Sequence, residues 1–132
     1  MSKKILSAIV LLLAFSIVSV SCSKDDDNTP DTKKERKVKF KAFTSDNAAI
    51  SIIIHTNAQG DPQTLTNINA KTWESPEITI PSSVPAINFG ANGGTINPND
   101  NGKLTVQIII DGKVVKENVS NGNILSATTS IY

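Results

Sequence analysis

The chain has 132 residues, which suits a single domain once a targeting segment is excluded. Its net charge is +1, and removing Lys3 and Lys4, which lie in the segment expected to be cleaved, leaves 11 basic against 12 acidic residues. This balance lacks the basic footprint of a nucleic-acid-binding protein, so we predict no nucleic-acid partner.

The composition favours strands held together by hydrophobic burial. Cys22 is the single cysteine, so the chain cannot form an intramolecular disulfide. Aromatic residues make up 5% of the chain, whereas Ile, Val, Thr and Asn recur throughout. These residue types favour strands and turns over helices.

Residues 1–21 have the three parts of a secretory signal peptide. Lys3 and Lys4 form the positive end, residues 5–20 form the apolar run, and small residues precede the expected cleavage point. The alternative is a transmembrane helix that stays in the mature protein. The run is short for a membrane span and three serines interrupt it, which favours the signal peptide.

Cys22 directly follows these small residues, an arrangement that resembles a bacterial lipobox. In that family of signals the cysteine is lipidated and becomes the mature N-terminus. The residue three places before the cysteine is usually Leu, and here it is Ser19, with Val18 one place earlier. The alternative leaves a lone exposed thiol in an oxidising compartment. We therefore predict lipid attachment at Cys22 and a membrane partner through that anchor.

An acidic run follows the anchor, formed by Lys24, Asp25, Asp26 and Asp27. It resembles the surface-export signal of Bacteroidota lipoproteins, which implies an outer-membrane protein exposed at the cell surface. The same run is also typical of a solvated tether, and the two interpretations are compatible. Residues 22–36 contain no large apolar side chain after the cysteine and are predicted to be a flexible tether.

The first strand is predicted at residues 37–43, where apolar and lysine residues alternate. Lys37, Lys39 and Lys41 then share one face. One hypothesis is a ridge that contacts polyanions. The other, which we favour, is a solvent face whose lysines discourage edge-to-edge pairing.

A second strand is predicted at Ala48–Thr56, with Ile50, Ile52 and Ile54 on one face and Ser51, Ile53 and His55 on the other. Residues 57–62 form a loop. Residues 63–69 alternate less cleanly, residues 77–80 form a short strand, and residues 84–91 form another. Glycine and asparagine at 92–94, and the polar run at 97–102, are expected to form a loop.

A β-hairpin is predicted at residues 104–110 and 113–118, joined by Asp111-Gly112. Two-residue loops of this type favour a type I′ turn, in which both residues have positive φ. Leu104, Val106, Ile108 and Ile110 form its apolar face. The predicted register pairs Ile110 with Lys113, Ile109 with Val114, and Ile108 with Val115. Residues 124–132 are predicted to form the closing strand.

Seven or eight short strands without a helical pattern predict an all-β fold, an antiparallel immunoglobulin-like β-sandwich at residues 37–132. The order Ala-Ile-Ser-Ile at 49–52, Gln-Thr-Leu-Thr-Asn-Ile at 63–68, Trp73 and Ile-Asp-Gly-Lys-Val-Val-Lys-Glu at 110–117 resembles MmpS-like domains. These are small β-sandwich domains of mycobacterial membrane proteins that assist lipid-exporting transporters. The mycobacterial domains carry a cysteine pair and a transmembrane helix, so the resemblance implies the fold and not the same partner.

His55 is the only histidine, and no nucleophile motif such as G-x-S-x-G accompanies it. We interpret it as a surface residue near a strand end, and we predict no catalytic residue and no enzyme. Zinc needs several His or Cys ligands, which the chain lacks. Trp73 is either an exposed sugar-stacking platform or a core residue, and we favour the core.

Asn97, Asn99, Asn101 and Gly102 imitate the opening of a calcium-binding loop. The twelfth position of such a loop should be Glu, and here it is Ile108. A polar turn is therefore the favoured interpretation. We predict no metal and no cofactor.

The leading hypothesis is a non-catalytic lipoprotein that binds or supports an envelope component, either a protein or a glycan. Recognition would involve loops at one end of the sandwich, such as 57–62 and 92–102. The alternative, which the MmpS-like resemblance suggests, is a periplasm-facing accessory protein of a transport complex. The ligand-binding residues and the oligomeric state are left open.

Overall fold

The computed structural model describes residues 35–132. The predicted signal peptide (1–21), Cys22, the export signal at 24–27 and most of the predicted tether lie outside these residues. Among the residues described, no helix is both long and apolar enough to cross a membrane.

Nine strands run through residues 35–132, each antiparallel to its hydrogen-bonded neighbours, and they form the two sheets of a β-sandwich. The all-β prediction is therefore confirmed. The strands are β1 (Glu35–Thr44), β2 (Ala48–Thr56), β3 (Pro62–Leu65), β4 (Thr72–Glu74), β5 (Ile78–Pro81), β6 (Ile87–Thr95), β7 (Gly102–Ile110), β8 (Lys113–Gly122) and β9 (Ile124–Ile131).

The two sheets differ in the charged residues that their strands contain. One has the order β4-β1-β7-β8, with β5 also pairing with β1, and we call it the charged sheet because most of its strands carry Lys, Arg or Glu. The other has the order β3-β2-β6-β9. We call it the uncharged sheet because none of its four strands contains Lys, Arg, Asp or Glu.

One predicted strand count and one predicted boundary need correction. The count of seven or eight strands is too low, because it omits the three-residue strand in which Trp73 pairs with Ala42. This strand is short and mostly exposed, so its sequence does not reveal it. The tether was predicted to extend to Arg36, whereas β1 begins at Glu35. Arg36 belongs to the domain because its guanidinium donates hydrogen bonds to the carbonyl oxygens of Pro81 (2.8 Å) and Val84 (2.9 Å).

The core lies between the sheets and is built by alternation along the strands. The predicted inward faces of β1 and β7 are confirmed, and their buried side chains meet those of β6 and β9. Burying a side chain of this size contributes about 1.5–3 kcal/mol. The fully buried large side chains are Val38, Phe40, Ile50, Ile53, Ile80, Ile87, Phe89, Leu104, Val106, Ile108 and Leu125.

A β-bulge in the middle of β2 changes which of its side chains face the core. Ile50 pairs with Gly93 and Ile52 pairs with Asn92, so Ser51 is an extra residue without a partner on β6. The prediction that Ile50, Ile52 and Ile54 share a face is therefore wrong. Beyond the bulge Ile53 and His55 face the core, while Ile54 is 39% exposed. One extra residue reverses the period-2 pattern, and the sequence of this strand contains no turn signal that marks it.

The predicted β7–β8 hairpin is confirmed at its turn. Asp111 and Gly112 have φ values of 51° and 83°, as a type I′ turn requires. The pairs Ile110–Lys113 and Ile109–Val114 form as predicted, but Ile108 pairs with Lys116 instead of Val115. The register slips because a second bulge leaves Val115 unpaired on β8.

The predicted loop at residues 92–94 is part of β6, which continues to Thr95. The strand tolerates Gly93 and Gly94 because both pair with β2 and β9. The loop is thus confined to residues 96–101, between β6 and β7. Asn47 and Asn123 hold it through side-chain amides that donate to the carbonyl oxygens of Asn101 (2.9 Å) and Pro98 (3.2 Å).

The two loops predicted to form one recognition end lie at opposite ends of the sandwich. Ala48 pairs with Thr95, so loop 96–101 lies beside the β1–β2 turn. Loop 57–61 follows the other end of β2, where Gly60 approaches Val84. Val84 also accepts the hydrogen bond from Arg36, so loop 57–61 lies at the end where the chain enters the domain. Antiparallel pairing of β2 and β6 separates the two loops.

Candidate functional site: the uncharged face

Charge is distributed unequally between the two sheets. The chain is 19% charged, a frequency that would place about six charged residues among the 30 residues of β2, β3, β6 and β9. Those strands contain none, whereas the strands of the charged sheet contain ten. Because strands usually expose charged side chains to water, the outer surface of the uncharged sheet is exceptional in this domain.

This outer surface, which we call the uncharged face, consists mainly of small polar side chains and glycines, with Ile54 and Ile124 as its exposed large apolar residues. Strands β6 and β9 place their even-numbered residues on it, since the odd-numbered residues Phe89, Ala91, Leu125 and Ala127 are buried. Ser130 donates a 2.6 Å hydrogen bond to Asn88 across the pair. The cross-strand pairs on this face are Asn88–Ser130, Gly90–Thr128, Asn92–Ser126 and Gly94–Ile124.

Gly90 makes room on the uncharged face for the side chain of its cross-strand neighbour Thr128. A Cβ at this position would lie 2.5 Å from Cγ2 of Thr128, so the threonine methyl occupies the space above the glycine. A β-branched side chain has few alternative rotamers in a strand. Gly90 therefore leaves room for the Thr128 side chain to extend over β6.

A groove of ≈ 580 Å³ opens at the β2 side of the uncharged sheet. Its volume falls within the range of small-molecule sites, about 300–1,000 Å³. Every side chain around it is uncharged. The lining residues are Ala49, Ile50, Ser51, Ile52, Thr66, Asn67 and Asn69.

The bulge in β2 and the segment after β3 build this groove together. Ile68 donates its backbone N–H to the carbonyl oxygen of Ser51 (3.1 Å), and Ala70 exchanges backbone hydrogen bonds with Ile50 (2.7 and 3.3 Å). Ile68 packs against the core and fixes the segment between these contacts. The segment is thus a short, well-anchored wall beside β2.

Asn67 and Asn69 flank that anchor in the left-handed region, with φ values of 56° and 49°. Asparagine tolerates this region better than other non-glycine residues, and strained backbone often marks a functional site. Both side chains are exposed, and neither amide hydrogen-bonds to another residue within 35–132. Two amides therefore face the groove side of the wall with free donors and acceptors.

The arrangement can recognise an uncharged polar ligand. An amide offers two donors and one acceptor oxygen, and a hydroxyl offers one donor and two lone pairs. Ser51 uses its proton on the carbonyl oxygen of Asn92 (3.1 Å), which leaves its own oxygen as an acceptor. The groove presents no charged group to neutralise an ionic ligand.

His55 is not the surface residue that we predicted. It is 9% exposed because the bulge turns it inward, and its ring lies 5.1 Å from that of Phe40 and 5.8 Å from that of Trp73. Nδ1 lies 3.0 Å from the carbonyl oxygen of Thr56, a contact that requires the proton on Nδ1. Trp73 is half-buried and packs against the core, in agreement with the favoured interpretation.

The three lysines of β1 lie on the outer surface of the charged sheet. Lys39 forms an ion pair with Glu74 at 3.4 Å, and Lys41 lies 5.7 Å from the centre of the Phe43 ring. Strand β1 is flanked on both sides, by β7 and by β4 and β5, so the lysines do not protect an edge as we had suggested. An exposed ion pair of this kind contributes about 0.2–1 kcal/mol.

The calcium-like sequence forms a hydrogen-bonded turn. The side chain of Asn97 accepts the N–H of Asn99 (3.1 Å), and its carbonyl oxygen accepts the N–H of Asp100 (3.0 Å). Gly102 already belongs to β7. Across residues 35–132, no three His, Cys, Asp or Glu side chains come together in a group that could hold a metal ion.

Sequence analysis missed Ser51, Asn67 and Asn69 as site residues. The missing charge in β2, β6 and β9 was visible in the sequence, but only strand pairing reveals that these segments share one sheet. Asn67 and Asn69 were a second available signal, since asparagine is one of the few residues other than glycine that adopts the left-handed region.

No protein-family model matches the chain, and no curated protein matches it either. The resemblance to MmpS-like domains and the immunoglobulin-like connectivity therefore stay predictions.

Proposed function

We propose that the protein is a lipid-anchored envelope lipoprotein, exposed at the cell surface, whose sandwich is a non-catalytic binding module. The observation that supports the binding role is the uncharged face with its groove. A surface without charged groups contributes little to solubility, and ligand binding accounts for the absence of charge. The observation that carries the anchor is Cys22 after an apolar segment. Each buried methylene of an attached acyl chain adds about 0.8 kcal/mol of membrane affinity.

The groove lies far along the domain from its first residue, Glu35. The chain enters the domain at Glu35, and β1 then runs for ten residues, a span of roughly 30 Å. Ala49 and Ser51 follow the turn at the far end of β1. The groove therefore lies towards the end of the domain opposite Glu35.

The binding role is tested by retention of defined glycans and envelope proteins on the full chain, purified in a polyoxyethylene detergent. We expect selective retention of one class. Absence of retention across neutral polysaccharides, anionic polysaccharides and a whole envelope extract would contradict the binding role.

Surface exposure is tested by protease treatment of intact cells. We expect residues 35–132 to become susceptible, or to be released through cleavage in the tether, without opening the envelope. If the domain is protected until the envelope is permeabilised, the surface position is wrong and the periplasm-facing transport accessory takes its place.

A further inference from the structure

We infer that the ligand of the uncharged face is a neutral polysaccharide, with the groove at Ser51, Asn67 and Asn69 holding part of the chain. This inference rests on the proposed binding function and names its ligand class. Three observations support it. The face has no charged residue, the groove has polar groups without partners, and few large apolar side chains are exposed on the face.

Charge complementarity excludes ionic ligands from this face. An anionic polymer is recognised by Lys and Arg, and a cationic one by Asp and Glu. The four strands contain none of these residues, and the groove lining adds none. A sulfate or carboxylate placed here would lose hydration without gaining a cationic partner to offset that loss.

The polar groups of the groove suit a ligand rich in hydroxyls. Each sugar hydroxyl both donates and accepts, and an amide can pair with one on each side. Asn67 and Asn69 provide two such amides, and the backbone between them is fixed by the contacts of Ile68 and Ala70 with β2. Because the wall is already ordered, binding loses little conformational entropy there. The hydroxyls and amides of Asn92 and Ser126 extend the polar surface from the groove across the sheet.

A protein partner fits this face poorly. Interface cores are enriched in Tyr, Trp, Phe, Met and Arg, and none of these residues lies on the outer surface of β2, β3, β6 or β9. The exposed large apolar residues of these strands are Ile54 (39%) and Ile124 (79%). Such a surface lacks the buried anchors of a stable interface, whether with another protein or with a second copy of this chain.

The test measures retardation of the full chain in native gels that contain dextran, laminarin, galactomannan or glycogen. Alginate and heparin are the anionic comparisons, and the detergent is a polyoxyethylene ether because it carries no sugar. The variant N67D/N69D keeps the shape and the left-handed backbone but replaces amide donors with carboxylates. The control N121D makes the same chemical change on the exposed outer part of β8, in the charged sheet. Thermal unfolding of each variant verifies the fold.

We expect retardation by at least one neutral polysaccharide, at least tenfold weaker binding for N67D/N69D, and a change below twofold for N121D. Neutral binding that N67D/N69D leaves unchanged would overturn the inference. So would retention by alginate, heparin or an envelope protein alone, although the proposed binding function would then survive. If nothing is retained at all, the proposed function fails together with the inference.

Discussion

Gly93 lies against the backbone of Ala49 at the bulge that turns Ser51 out of the ladder. A Cβ on Gly93 would overlap the carbonyl oxygen of Ala49, and a backbone atom cannot rotate away as a side chain can. The glycine therefore permits the bulge, and the bulge shapes one wall of the groove. This contact connects a single residue in β6 to the candidate binding site.

Gly93→Ala should destabilise the domain by about 2 kcal/mol or more, because the bulge must shift to admit the methyl group. Chemical denaturation of the full chain followed by near-UV circular dichroism measures this. Gly94→Ala is the matched control, since its Cβ would lie 3.1 Å from the carbonyl oxygen of Asn123 and needs only a small adjustment. Equal stability of the two variants would contradict the role of Gly93.

Ser75→Ala should cost about 1–3 kcal/mol, since it leaves a buried N–H without an acceptor. The Ser75 hydroxyl oxygen accepts the N–H of Phe40 at 2.9 Å in the gap between β4 and β5, and Ser75 is 4% exposed. The free energy of unfolding, measured in urea, tests this. Ser83→Ala, at an exposed position, should change it by less than about 0.5 kcal/mol. Similar losses of unfolding free energy in both variants would mean that the hydrogen bond between Ser75 and Phe40 does not stabilise the domain.

Gly112→Ala should cost about 1 kcal/mol through backbone conformation alone. Gly112 has a φ of 83°, and a Cβ there would meet no atom within 4 Å. The left-handed region costs other residues about 1–2 kcal/mol. Thermal unfolding compared with that of Lys113→Ala, an exposed neighbour, measures the difference. An unchanged midpoint would show that the turn relaxes to another type.

His55→Ala should destabilise the domain by about 2–4 kcal/mol, because it opens a cavity between the rings of Phe40 and Trp73. His55→Phe, which refills the space, should recover most of that loss. Denaturant midpoints of the two variants test the core role. If His55→Ala is as stable as the wild type, the packing of His55 between Phe40 and Trp73 does not contribute to stability.

The parts of the fold that follow from local chemistry were predictable from the sequence. Alternation placed Val38, Phe40 and Ala42 inside, and Asp111-Gly112 specified its own turn. The facing of Ile52 and Ile54 was not predictable, because a bulge depends on the partner strand. The predicted pairing of Ile108 with Val115 was wrong for the same reason, since a bulge in β8 pairs Ile108 with Lys116 instead.

The candidate site was less predictable than the fold. Its walls come from Ser51 on one strand and from Asn67 and Asn69 on a segment that follows another strand. Their proximity is created by the hydrogen bonds of Ile68 and Ala70 with β2, which no local pattern encodes. The opposite placement of loops 57–61 and 96–101 likewise required the register of β2 on β6.

Lipid anchoring through Cys22 is tested by the membrane association of Cys22→Ala, measured by fractionation and by incorporation of labelled palmitate. We predict that the wild-type chain and the control Ser23→Ala carry the label and sediment with the membranes. Cys22→Ala should lose the label and leave the membrane fraction, while its domain unfolds at the same temperature as that of the wild type. A Cys22→Ala chain that stays labelled and membrane-bound would show that Cys22 is not the site of lipid attachment.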